Sequence, residues 1–219
     1  MNIQGIPAPK APIKPYPMTI HEDTRVDNYY WLNDRENTEV IAYLESENSY
    51  TETVMSPTKA FQEELFEEMK GRIKEQDESV PYRDGDYYYY SRYIEGGEYP
   101  LYCRKKSSME AEEEIILDGN ALAEGHDYFS IGGYVISDND QILAYSIDTI
   151  SRRNYTLYFK NLQTGELYTE TIENTEGGAY AWAADNQTIF YLQRDPQTLL
   201  ASKVYRHKLG TSVSEDVLV

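Results

Sequence analysis

The chain has 219 residues, enough for one large or two small domains with a substantial core. Its formal net charge of −18 argues against nucleic acid and anionic membrane surfaces as partners, because both need clustered Lys and Arg. Hydrophobic and charged shares of 40% and 26% are those of a globular chain, and 22 tyrosines against 5 Phe and 2 Trp suit half-exposed strands.

Residues 1–19 carry prolines at 7, 9, 12, 15 and 17 and predict an extended, partly polyproline-like arm. This stretch holds no continuous apolar run, so neither a signal peptide nor a membrane span is expected, and the cytoplasm is the default location. Residues 20–80 predict a helical segment. Tyr29, Tyr30, Trp31 and Leu32 open it as an anchoring cluster that should remain partly exposed. Val40, Ile41, Leu44, Tyr50 and Val54 then mark one helical stripe. Ser56 is expected as the N-cap of a second helix, with Pro57 at its first position, where a missing N–H costs nothing. Phe61, Leu65, Phe66, Met69 and Ile73 follow at spacings of three and four, with Glu63, Glu64, Glu67 and Glu68 off the stripe.

Composition shifts at Ser79-Val80-Pro81, and from 81 to 219 short strands alternate with turns. Asp84-Gly85 precedes a strand over 86–93, and Gly96-Gly97 marks a hairpin into 99–105. From Asp138 to Leu162 the chain matches itself without a gap at an offset of 47 residues. Asp138-Asn139 returns as Asp185-Asn186, Ile142 as Ile189, Asp148 as Asp195, Tyr158 as Tyr205 and Leu162 as Leu209. This register equates 142–145 with 189–192 and 157–159 with 204–206. A unit of this length without helical pattern has the period of a four-stranded propeller blade. The predicted fold is therefore mainly β: a partial β-propeller of about three four-stranded blades, preceded by the arm and two α-helices. About three blades do not close a ring, so a truncated propeller with open outer faces is expected, marginally stable or prone to associate.

The chemistry-bearing motifs are sparse. G-x-S-x-G, H-E-x-x-H, P-loop and G-x-G-x-x-G patterns are all missing. His21, His126 and His207 lie far apart without metal-type partners and read as structural, and Asp127 beside His126 on a turn is poorly placed to orient it. The single cysteine, Cys103, excludes an intrachain disulfide and reads as a small buried hydrophobe. Glu112 to Glu114 read as a solvated face, and Tyr87 to Tyr90 as packing on both faces of a strand. No catalytic, cofactor-binding or metal-binding residue is assigned, and no cofactor is expected.

The run His21-Glu22-Asp23-Thr24-Arg25-Val26-Asp27-Asn28-Tyr29-Tyr30-Trp31-Leu32 resembles the N-terminal signature of the prolyl oligopeptidase family of serine peptidases, in particular its oligopeptidase B branch. The likeness continues through Gly71-Arg72-Ile73-Lys74, Ser79-Val80-Pro81-Tyr82-Arg83, Ala181-Trp182-Ala183-Ala184-Asp185-Asn186 and Val204-Tyr205-Arg206-His207-Lys208-Leu209-Gly210. The resemblance implies a seven-bladed propeller that caps an α/β-hydrolase domain, with the arm and helices docked on that domain. It also implies that the Ser, Asp and His of catalysis, and the acidic residues selecting Arg or Lys, belong to the hydrolase domain, so no residue role carries over to this chain. The implied partners are the missing hydrolase domain, the remaining blades and, for the parent protein, short basic peptides. The rival reading is a stand-alone β-blade interaction protein with no enzymatic activity.

Overall fold

Turns set the layout before any packing does. In the computed structural model, which describes residues 2–3 and 5–219, the chain forms two compact units, Met1–Ile73 and Lys74–Val219. In the first, β1 (Asn2–Ile3) pairs with β2 (Ile6–Pro7), and β3 (Tyr16–Ile20) pairs with β4 (Asp23–Asp27). His21 and Glu22 make the second hairpin turn with φ of 52° and 65°, the left-handed pair that a two-residue hairpin requires. The proline-rich arm is thus partly paired into hairpins rather than extended throughout.

Asn37 caps α1 (Thr38–Met55) by accepting the Glu39 N–H. A 3-10 turn, Ser56–Thr58, leads directly into α2 (Lys59–Lys70). Ser56 is not the N-cap expected from the sequence. Its backbone stays helical at φ −52° and ψ −36°, and its hydroxyl donates back to the Thr53 carbonyl. Without an extended residue between the helices, no side chain can turn in to cap α2.

The second unit begins with residues 74–80 running beside the first blade, where Glu78 bridges Arg92 and the Ser79 N–H donates to the Ser91 carbonyl. That blade is the antiparallel sheet β5 (Tyr82–Asp84), β6 (Tyr87–Arg92), β7 (Leu101–Lys106) and β8 (Glu113–Asp118), in chain order. The β6–β7 loop carries Gly96-Gly97, as the sequence predicts. A short helix, α3 (Gly119–Ala123), capped by the Asp118 carboxylate, leads onward.

The remaining strands are β9 (Ser130–Ile136), β10 (Ile142–Asp148), β11 (Tyr155–Asn161), β12 (Ile172–Trp182), β13 (Thr188–Arg194), β14 (Ala201–Lys208) and β15 (Val217–Leu218). They run in one continuous antiparallel order. The long β12 resolves this into two blades. Its first part pairs with β11 at Thr175 and Ile172, its second with β13 from Tyr180 to Trp182, and the register shifts between Thr175 and Tyr180. One strand therefore ends blade two and begins blade three, and the unit holds three four-stranded blades.

Blades two and three touch directly at their turns and first strands. The Asn139 N–H donates to Asn186 Oδ1 at 2.9 Å, and Trp182 Nε1 donates to the Val135 carbonyl at 3.4 Å, each pair being 47 residues apart. The gapless register needs one correction. Tyr145 stacks on its cross-strand partner Tyr158 at 5.6 Å, and the matching pair in blade three is Tyr191 with Tyr205 at 5.7 Å. The shift from β11 to β14 is thus 47 residues, but that from β10 to β13 is one shorter. Residues 142–145 therefore match 188–191, whereas 157–159 do match 204–206. The additional residue is taken up at an irregularity between Gln193 and Arg194, which restores the match at Asp148 and Asp195.

Blade two is packed on both faces. Leu143 and Tyr145 join Tyr89, Ile116 and Leu117 of blade one in one cluster. Ala144, Leu157, Phe159 and Ile172 meet Ile189 and Tyr191 of blade three in the other. Tyr89 and Tyr90 likewise bury on opposite faces of β6, Tyr90 beside Leu101 and Cys103. The joint between blades two and three closes on glycine. A Cβ on Gly132 would lie 2.7 Å from the Gly177 Cα, the Ser146 Oγ and the Tyr155 ring. Gly132→Ala is expected to destabilise the fold by about 1–3 kcal/mol through this overpacking. Urea unfolding checks it, with Gly165→Ala, at an open but positive-φ turn, as a comparison of backbone strain alone.

Candidate docking surface

The apolar stripe of α2 faces outward, whereas along the α1 stripe Val40 is buried and Tyr50 and Val54 are half-buried. Val40 is the sole buried residue of the two helices, and α2 has none. Ile41, Leu44 and Met55 of α1 are exposed, and the second stripe is more so, with Phe61 at 63%, Phe66 at 54% and Ile73 at 69%. Each such side chain forgoes about 1.5–3 kcal/mol of burial. A run of them on one amphipathic helix marks an interaction face rather than scattered surface residues.

The aromatic cluster ahead of the helices is partly exposed, as the sequence reading expects. Tyr29 and Tyr30 are exposed, Trp31 and Leu32 half-buried. Trp31 pins the arm: its Nε1 donates to the Pro12 carbonyl at 3.0 Å, Lys14 Nζ sits 4.7 Å from its ring centre, and Tyr43 meets its edge. Tyr30 stacks on Tyr16 of β3 at 4.3 Å.

Glu112 to Glu114 are not the solvated face expected from the sequence: Glu113 and Glu114 are half-buried and joined to arginines of β6 and β7. Arg92 grips Glu113 at 2.6 and 3.0 Å, and the Tyr90 hydroxyl donates to the same carboxylate at 2.5 Å. The Arg92 hydrogen bonds hold the Glu113 carboxyl down to about 2. Burial, helped by the Glu113 charge, pushes the adjacent Cys103 thiol up to about 11. Arg104, itself buried, binds Glu114 at 2.7 and 2.9 Å and donates to the Asp140 carbonyl at 2.8 Å, tying blade one to the first turn of blade two.

The three histidines stay apart. His21 lies in the β3–β4 turn. His126, in the loop before β9, rests near the Phe129 ring, and its N–H donates to the Ala123 carbonyl. His207 is fully buried, with Nδ1 2.7 Å from Asp216 Oδ1 and Nε2 3.8 Å from Glu170 Oε2. Asp216 also accepts the Tyr191 hydroxyl, and Glu170 accepts the Gly210 N–H. The ring's polar neighbours are thus two carboxylates already engaged, with no nucleophile beside it. The sequence reading took His207 as structural but offered no partner, since Asp216 lies in the following loop without a pattern to mark it. A cavity of about 490 Å³ between the turns of blades two and three is lined by Asn139, Glu170, Asp185 and Asn186, whose polar groups satisfy turn backbone. Among the described residues, no three of His, Cys, Asp and Glu gather as a metal site, and no helix is long and apolar enough to cross a membrane.

A family model described as the prolyl oligopeptidase N-terminal beta-propeller domain matches residues 9–219. The chain belongs to the prolyl oligopeptidase family. Among curated relatives, dipeptidyl aminopeptidase BI of Pseudoxanthomonas mexicana is 44% identical over 216 residues, covering 91% of this chain and 30% of that protein. Protease 2 of Moraxella lacunata is 37% identical over 211 residues, covering 94% and 30%. Among solved structures, oligopeptidase B from Leishmania major superposes with a TM-score of 0.87 at 28% identity, covering 97% of this chain and 32% of that one. Oligopeptidase B from Trypanosoma brucei, in a closed form with covalently bound antipain, gives 0.85 at the same identity and coverage. The chain spans about a third of the length of these relatives. The three blades and two helices described above are the propeller portion of a prolyl oligopeptidase-family architecture.

Because the Glu113 carboxyl is held below its ordinary value in the folded chain, its contribution is present above about pH 4.5 and is lost as pH falls towards 2. Glu113→Gln is expected to cost about 1–2 kcal/mol at pH 7, with the difference from the parent shrinking across that window in pH-resolved urea unfolding. The Cys103 thiol is expected to resist iodoacetamide at pH 8 in the folded protein and to react once urea unfolds it, as mass spectrometry would read.

Proposed function

We propose that the chain is the arm-and-propeller portion of an oligopeptidase-B-like serine endopeptidase that hydrolyses short peptides after Arg or Lys in the cytoplasm. In this reading residues 1–19 form the arm, 20–80 the segment that docks on an α/β-hydrolase domain, and 81–219 the first blades of the cap. The observation that carries it is the outward apolar face of α2, from Phe61 to Met69, which has no partner in its own unit and no use in an isolated β-blade protein. The cap would act by exclusion. Blades packed face to face admit short, extended peptides and hold folded proteins away from the nucleophile. Cleavage itself would run through an acyl-enzyme, with His activating Ser and Asp orienting His, all supplied by the hydrolase domain.

A second reading is favoured by the relative named dipeptidyl aminopeptidase BI, which is more similar in sequence than the protease 2 relative. Here the parent would release dipeptides from free amino termini, and the same cap would limit substrate length.

Both readings are testable in a chimera that replaces the corresponding N-terminal region of the Moraxella lacunata protease with this chain. The chimera is expected to cleave amino-blocked fluorogenic peptides after Arg, and preference for unblocked dipeptide substrates would favour the second reading. Phe61→Asp with Phe66→Asp is expected to lower the chimera's turnover at least tenfold while leaving the circular dichroism of the 219-residue chain unchanged. The purified 219-residue chain is expected to show no turnover that a serine-directed inhibitor blocks. A folded chimera without activity, or full activity in the double variant, would overturn the docking role.

A further inference from the structure

In the first unit the arm is fastened at one side chain, the Trp31 indole. The indole itself is fixed from behind. It stands in the 3-10 turn Tyr30–Asn33, and Tyr43 of α1 meets its edge at 6.2 Å. Pro12 and Lys14 of the arm close on it. The Pro12 carbonyl accepts the Trp31 Nε1–H at 3.0 Å. Lys14 donates its backbone N–H to the Asn28 carbonyl at 2.9 Å and sets its Nζ 4.7 Å from the centre of the indole ring. The same Nζ pairs with Glu39 in the first turn of α1. Tyr16 is held differently: it pairs with Asp27 in the β3–β4 hairpin and stacks on Tyr30. The arm therefore has a fixed end at Tyr16 and a clasp just ahead of it.

Little else holds the clasp shut. Residues 12–17 are exposed, with Ile13 at 64%, so closure buries little apolar surface. The Lys14–Glu39 pair is exposed on both sides, where an ion pair contributes little and salt weakens it. The prolines lower the cost of both states. Pro7, Pro9, Pro12 and Pro15 restrict the open arm, so a few contacts suffice to order it. They also carry no N–H, so opening leaves few backbone donors without a partner. Lys14 is the one charged residue of the arm in the clasp, and neutralising it removes both the ion pair and the ring contact.

We propose that residues 8–15 form a strap that closes on Trp31 and is released when the Lys14 charge is removed or screened. Closed, the arm and the aromatic cluster occupy each other. Open, the proline-rich segment and the indole are both presented to a partner. That consequence for docking rests on the hydrolase-domain partner proposed above. The opening itself does not, and it is read on the 219-residue chain, so its failure leaves the peptidase reading untouched.

Hydroxyl-radical footprinting read by mass spectrometry tests the strap, with Trp182, held in the joint between blades two and three, as internal standard. In the parent chain Trp31 is expected to oxidise more slowly than in the chain unfolded by urea. Lys14→Gln is expected to raise Trp31 oxidation about threefold or more, and about 0.5 M NaCl to raise it part of the way. Lys14→Arg is expected to keep the parent's protection, because it keeps the charge and the ring contact. Loss of shielding by the Lys14 side chain alone would raise Trp31 oxidation without freeing the arm. Trypsin separates the two cases: cleavage after Lys10, away from the substitution, is expected to rise about fivefold or more in Lys14→Gln. Lys14 is exposed, so the circular dichroism of these variants is expected to match the parent's. Three results would overturn the proposal. They are a folded parent whose Trp31 is as reactive as in urea, a Lys14→Gln chain cut after Lys10 no faster than the parent, and a Lys14→Arg chain that opens as far as Lys14→Gln.

Discussion

A β-blade with apolar side chains on both faces has no stable life as a single sheet, and that constraint organises the second unit. Side chains alternate along β10, so Leu143 and Tyr145 leave one face and Ala144 the other, and all of them are buried. The middle blade satisfies both faces by lying between its neighbours. Nothing comparable covers the far face of blade three, where Val204 and Val217 remain exposed. The burial that stabilises this fold therefore lies between blades rather than within them, as in other stacked repeats.

Face-to-face packing demands that successive blades approach closely at one end and that their turns agree at the other. Glycine meets the first demand. Gly132 and Gly177 let two backbones and the Tyr155 ring meet where any side chain would collide. Asx chemistry meets the second. Asn139 and Asp185 each accept the N–H two residues on, and Asp140 and Asn186 each take a left-handed φ, of 60° and 57°. Buried polar pins then fix the blades laterally. Arg104 crosses from blade one to the Asp140 carbonyl, and Lys160 donates to the Ile116 carbonyl at 3.0 Å. Each ion in these contacts has hydrogen-bonding partners, which buried charge requires.

The first unit obeys the opposite economy. Its helices are long and regular, yet they bury one residue between them, and their order comes from backbone hydrogen bonding and from pairs such as Tyr43 with Glu47. Helices in water gain most of their stability from burying an apolar face. The exposed face of α2 forgoes that gain, which is why the proposed docking role rests on this unit and not on the blades.

Much of this was legible in the residues. Alternation and turn signals after Pro81 identified blades, the 3-and-4 spacing from Phe61 to Ile73 identified α2, and the repeat of Leu162 at Leu209 set the period, because all three are local patterns with a local cause. Cys103 and Tyr87 to Tyr90 were readable as packing residues for the same reason. The one-residue slip between blades was not, since an irregularity at Gln193 and Arg194 leaves the amino-acid pattern nearly intact while moving every partner of β13. Nor was the failure of Ser56 to cap, which depended on two helices running on without an extended residue between them. The contacts of His207 with Glu170 and of Arg194 with the Arg153 carbonyl form only when blades two and three stack. Local sequence determined the blades and the helices; tertiary packing alone decided which polar groups are buried, because burial is a property of neighbours distant in the chain.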